Sequence, residues 1–142
     1  MSSQISTHDC FFYQSGVIPY KVSDGKLKVL LITSRRKQKW ILPKGFIEPD
    51  MTPQESAAIE AYEEAGVEGE VSSELIGTYN VNKWEGTCNI KVYPMLVKKI
   101  HDKWPESYFR KREWMDIEEA LEETSKDSIK QLLVNFKDSF HF

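Results

Sequence analysis

The segment that most constrains the fold is 52–66, "TPQESAAIEAYEEAG". Thr52 suits an N-cap, Pro53 the first helical position, and Glu55 closes a capping box three residues on. Ala57, Ala58, Ala61 and Ala65 favour helix, and Gly66 stands where a left-handed residue ends one. At about 100° per residue, Glu60, Glu63 and Glu64 fall within an arc of about 100°. Ser56 and Pro53 share that face, and neither is cationic. Ala58, Ala61, Ala65 and Tyr62 lie opposite and are expected to pack against a sheet.

Like charges three and four residues apart cost roughly 0.2–0.5 kcal/mol per pair. The pairs 60/63 and 60/64 therefore cost about 1 kcal/mol together. Two readings follow. The three carboxylates form a solvated acidic face, or a hard divalent cation, Mg²⁺ or Mn²⁺, supplies the missing charge through oxygen ligands. Charge along the chain is uneven in the way the second reading requires. Between Lys44 and Lys83 there is no lysine or arginine, while nine acids fall there. The chain carries −3 in all, so the remainder carries +6. An anionic segment in mildly basic surroundings suits a cation and a polyanion held together.

Around this helix, Phe11 to Tyr20 and Leu27 to Thr33 read as strands joined by a turn at Ser23-Asp24-Gly25. Trp40-Ile41-Leu42 is a short apolar run ended by Pro43, and "PKGFIEPDM" reads as a loop. Val71 to Tyr79 and Asn89 to Lys98 read as strands with a turn near Trp84-Glu85-Gly86, and Arg112 to Met115 as another. Ile117, Ala120 and Leu121, then Ile129, Leu132, Leu133 and Phe136, recur at helical spacing. The expectation is an α/β (α+β) fold: a mixed β-sheet with a central helix and C-terminal helices, in one domain over 1–142.

The residues from Gly45 to Val67 resemble the signature of the Nudix hydrolases, G-x5-E-x7-R-E-U-x-E-E-x-G-U, where U is aliphatic. Glu60, Glu63, Glu64, Gly66 and Val67 are in register. Met51 stands where the pattern has its first glutamate, and Ile59 where it has arginine. By resemblance those two positions orient the loop and the metal-binding glutamates. The resemblance implies an α/β/α sandwich and metal-dependent hydrolysis of a nucleoside diphosphate linked to another group, or of a related pyrophosphate. It implies that Glu60 and Glu64 bind metal directly and that the Lys44 carbonyl is a further ligand. Glu63 would act through a metal, a water or as general base; which of Glu63 and Glu64 is the catalytic base stays open, and an acid beyond the signature (Glu85, Glu106 or Glu113) could serve instead.

"LLITSRRKQKWILPKG" and "WPESYFRKREWMDIEEAL" look like the diphosphoinositol polyphosphate and diadenosine polyphosphate phosphohydrolase branch. On matching positions Ser34, Arg35 and Arg110 would contact phosphates, with Lys44 and Gly45 at the turn beside them. Tyr13-Gln14-Ser15-Gly16 lacks the basic residues of the inositol-pyrophosphate enzymes. A dinucleoside polyphosphate, its bases stacked on Trp84 or Tyr79, stands beside inositol pyrophosphate as a substrate. A rival reading is a catalytically weak domain that binds a nucleotide or metabolite as a sensor.

The expected partner is a small-molecule phosphoanhydride. No apolar run approaches the ~20 residues of a membrane span. No RNA-binding module or strongly basic tail favours nucleic acid, and P-loop, G-x-S-x-G and G-x-G-x-x-G motifs are missing. Cys10 and Cys88 read as reduced thiols, and "MSSQISTHDC" shows no signal-peptide pattern, so a cytoplasmic setting is expected. The sequence leaves oligomeric state open.

Overall fold

A computed structural model describes residues 11–83 and 86–141. Eight strands and three helices follow in the order β1 (Phe11–Ser23), β2 (Lys26–Thr33), β3 (Trp40–Ile41), β4 (Lys44–Phe46), α1 (Pro53–Ala65), β5 (Val67–Val71), β6 (Gly77–Lys83), β7 (Gly86–Ile100), β8 (Arg112–Asp116), α2 (Ile117–Glu123) and α3 (Asp127–Ser139). The strands form one mixed sheet. Its spine is the parallel pair β1–β7, running from Phe11 opposite Thr87 to Tyr20 opposite Leu96. The remaining ladders are antiparallel. The β1–β2 hairpin turns at Asp24 and Gly25, both left-handed, as a tight turn between twisted strands requires.

The long strands alternate their apolar residues between two cores. Ile18, Val29, Leu31, Ile90 and Val92 face a core completed by Ile129, Leu132, Leu133 and Phe136 of α3. Val17, Leu30 and Ile32 face the other, completed by Ala57, Ala61 and Ala65 of α1. Period-two alternation on strands buried on both sides forces this division. The three alanines have no exposed surface, so α1 lies close against the sheet. The α/β/α layering is the one expected.

Several local expectations are corrected. "PKGFIEPDM" is not all loop: Lys44–Phe46 is a strand paired with Gln14–Gly16 of β1. Val71 to Tyr79 is not one strand. It contains the end of β5, a break at 72–76, and the start of β6. The β5 ladder begins at Val67, opposite Ile100. Tyr62 is exposed and Ala57 takes its place on the buried side of α1, where Ser56 and Glu64 are also buried. Trp84 and Glu85 lie outside the described residues.

Candidate functional site

Helix α1 begins as its sequence dictates. Thr52 Oγ1 accepts from Glu55 N at 3.1 Å, and Glu55 Oε1 accepts from Thr52 N at 2.8 Å. Its end is held by residues far along the chain. Gly66 closes it at φ 68°, a conformation that costs glycine little. The terminal carbonyls of Glu63, Glu64, Ala65 and Gly66 accept from Glu106 N, Trp104 Nε1, Arg112 Nη1 and His101 N respectively. Arg112 also donates to His101 O at 2.7 Å and lies 3.9 Å from the centroid of the Trp104 ring. With no basic residue in the last turn of α1, Arg112 brings positive charge to the negative end of the helix.

This clamp places the segment 101–112 beside the acidic face. Glu64 is 8% exposed, and its Oε1 accepts from the backbone N–H of Lys44 at 3.1 Å. Arg110 Nη2 lies 3.8 Å from Glu64 Oε2, while its Nε donates to Glu106 Oε1 at 2.7 Å and Nη1 to Thr33 O at 2.8 Å. The expectation that no protein cation reaches the acidic face is thus corrected. Arg110 does so, although its shortest bonds go elsewhere. Burial still dominates: it pushes the Glu64 carboxyl up to about 8, against the lowering effect of Arg110 and the Lys44 N–H. Glu60 is pushed up to about 6 by burial and by the charge of Glu63, with the neighbouring Glu64 carboxyl opposing the shift. Both carboxyls are thus easier to protonate than free glutamates, Glu64 the more so.

Gly45 explains how β4 fits here. A Cβ at this position would lie 2.1 Å from Glu60 Cδ, so only glycine lets the strand lie on that carboxyl group. A cavity of about 350 Å³ adjoins the pair, lined by Glu48, Glu60 and Glu63 and by Phe46, Met51 and Ile59. Among the described residues no group of three or more acidic, histidine or cysteine side chains is preassembled as a metal shell. The donors at hand are carboxylates and backbone oxygens, and Arg110 at 3.8 Å from Glu64 leaves the charge of the acidic face only partly offset. That donor chemistry fits a hard divalent cation.

The phosphate candidates are distributed less simply. Ser34 Oγ accepts from Lys39 N at 2.9 Å and so closes the 34–39 loop. Arg35 is exposed and lies over the Phe109 ring at 4.7 Å, and Arg110 over the same ring at 5.0 Å. The Lys44 ammonium donates to Gln14 Oε1 at 3.3 Å. The structure thus brings Glu60, Glu63, Glu64, Lys44, Gly45 and Arg110 together, with Arg35 joined to them through Phe109. Tyr79 is buried at 7% exposure, which removes it as a stacking surface. Glu106 joins the cluster, whereas Glu113 is exposed on β8 opposite Leu31. The contacts made by Trp104, by Arg112 at the end of α1 and by the buried Ser56 have no local sequence signature. A hint was available for Arg112, since a helix without basic residues in its last turn needs cationic partners from elsewhere.

A buried Glu64 beside a half-buried Glu60 on one helix face, overlaid by a glycine-bearing strand on a mixed sheet, defines the class of site. The NUDIX domain family model matches residues 13–136. The chain belongs to the Nudix hydrolase family. It is 35% identical over 127 residues to Nudix hydrolase 21, chloroplastic, of Arabidopsis thaliana, covering 85% of this chain and 64% of that protein. It is 36% identical over 102 residues to human diphosphoinositol polyphosphate phosphohydrolase 3-alpha, covering 70% of this chain and 61% of that protein. The chain thus spans somewhat under two thirds of the length of these relatives. The fold is similar to that of the Caenorhabditis elegans Ap4A hydrolase crystal structure, with TM-score 0.75 and 20% identity over 91% of this chain and 98% of that one.

Proposed function

We propose that this chain hydrolyses a pyrophosphate bond in a nucleoside-diphosphate-linked or polyphosphorylated small molecule, with Mg²⁺ or Mn²⁺ as cofactor. The observation that carries the proposal is the Glu60–Glu64 pair beneath β4, where Gly45 lies against the Glu60 carboxyl, the Lys44 N–H donates to Glu64 Oε1, and burial raises both carboxyls. Glu60 and Glu64 would hold the cation, together with the Lys44 carbonyl. When bound, such a cation neutralises anhydride charge and lowers the pKa of water. The Lys44 N–H fixes the orientation of the Glu64 carboxylate. Glu63, half-buried on the rim of the cavity, is the candidate base that takes the proton from the attacking water. Arg35 and the exposed Arg36, Lys37 and Lys39 would meet the outer phosphates, with Ser34 shaping their loop. Arg110 holds Glu106 beside the pair and adds positive charge at the edge of the site. No covalent intermediate and no redox cofactor are required.

Names of relatives support a dinucleoside polyphosphate or an inositol pyrophosphate as substrate. The compartment proposed is reducing and cytoplasmic, in keeping with Cys88 buried in the core. A second reading, a nucleotide-binding sensor, is favoured by one observation: Arg110 already offers Glu64 part of its counter-charge. Turnover of diadenosine polyphosphates, inositol pyrophosphate, ADP-ribose and nucleoside triphosphates, measured side by side with and without Mg²⁺, separates the readings. Cation-dependent release of phosphate products supports the hydrolase, and tight binding with no turnover supports the sensor.

A further inference from the structure

Positions 51 and 59, glutamate and arginine in the family pattern, are Met and Ile here, 38% and 40% exposed. Both line the cavity beside Glu60, so no ionic link between them orders the loop that leads into α1. That loop is nonetheless fastened at two buried points. Ser56, 1% exposed, accepts from Glu48 N through its Oγ at 3.0 Å. Ser15, fully buried on β1, donates from its Oγ to Pro53 O at 2.7 Å. Ser56 lies one helical turn before Glu60 and on the same face, so its bond to Glu48 joins the chain leaving β4 to the helix that carries the carboxyl pair. Ser15 is opposite Gly45 in the β1–β4 ladder. It therefore joins β1, the ladder partner of the strand lying on Glu60, to the first residue of α1.

We infer that Ser15 and Ser56 form an uncharged clamp that orders residues 47–52 and sets β4 over Glu60 and Glu64. They are positioning residues that do the work of the missing charged pair. The inference rests on the site being a cation-dependent hydrolase. It predicts that loop order is insensitive to ionic strength, because neutral hydrogen bonds are not screened as ion pairs are.

The test uses the full chain with Ser56→Ala, Ser56→Thr and Ser56→Ala combined with Met51→Glu and Ile59→Arg. Hydrogen exchange at the Glu48 amide reads the clamp directly, without cation or substrate. Mn²⁺ titration reads the site without turnover. In Ser56→Ala the Glu48 amide should exchange faster, and Mn²⁺ affinity and kcat should each fall by about 10-fold, with KM changed far less. Ser56→Thr should retain most of each. The Met51→Glu and Ile59→Arg pair should restore Mn²⁺ affinity in the Ser56→Ala background. Unchanged Glu48 exchange in Ser56→Ala would overturn the clamp. Faster exchange with Mn²⁺ affinity and kcat unchanged would overturn its positioning role. If the unaltered chain binds no Mn²⁺ and turns over no substrate, the hydrolase reading and the positioning role fail together, while Glu48 exchange still decides whether the clamp exists.

Discussion

Glu60 and Glu64 stand one turn apart on α1, near enough that the charge of Glu60 helps to raise the Glu64 carboxyl. Burial is the first cause that raises both, Glu64 to about 8 and Glu60 to about 6. An isolated pair of glutamates on a solvated helix would not behave this way. The difference lies in β4, which covers Glu60 with Gly45 and bonds Glu64 through the Lys44 N–H.

The raised values set a pH dependence. Unfolded glutamates titrate near 4.5. From there to about 8, the cation-free folded chain binds more protons than the unfolded one, so its stability falls as pH rises. Thermal unfolding in EDTA should show Tm falling by roughly 5 °C or more between pH 5 and pH 8. Glu64→Gln should flatten that slope. Added Mg²⁺ should raise Tm more at pH 8 than at pH 6, since the ionised pair is the form that binds it.

Gly45→Ala tests the close approach of β4. The added Cβ meets the Glu60 carboxyl group, which is the end of a movable side chain, so the fold should survive with Tm changed by less than about 5 °C. Glu60 must then move, and cation-dependent turnover should fall by about 10-fold or more. Unaltered turnover would show that the position of Glu60 is not critical.

Arg112 is predicted to matter for stability, although it lies outside the acidic cluster. Its guanidinium satisfies Ala65 O and His101 O and stacks on Trp104. Arg112→Met should cost about 2 kcal/mol in denaturant unfolding by leaving those carbonyls short of donors. Arg112→Lys should recover less than half, because one ammonium cannot reproduce the planar fork and stack.

Much of this was legible in the sequence, and the reasons are local. The capping box at Thr52 and Glu55, the hairpin at Asp24 and Gly25, and the paired apolar faces of β1 and β2 are set by neighbouring residues. So is the placing of Glu60, Glu63 and Glu64 on one arc. What escaped depends on contacts between distant segments. Lys44–Phe46 has no strand signature of its own and is a strand because Gln14–Gly16 pairs with it. Tyr62 faces outward and meets the ring of the distant His101 edge-on at 5.3 Å. Arg110 reaches Glu64 only because Trp104 and Arg112 dock their segment on the end of α1.

The central claim is that the Glu60–Glu64 pair is completed by a divalent cation, and calorimetric titration of Mn²⁺ into the chain and its Glu64→Gln variant tests it most directly. The account predicts saturable binding to the unaltered chain, stronger at pH 8 than at pH 6, and loss of that binding with loss of phosphoanhydride hydrolysis in the variant. Equal Mn²⁺ binding by both proteins, or hydrolysis that persists in the variant, would contradict it.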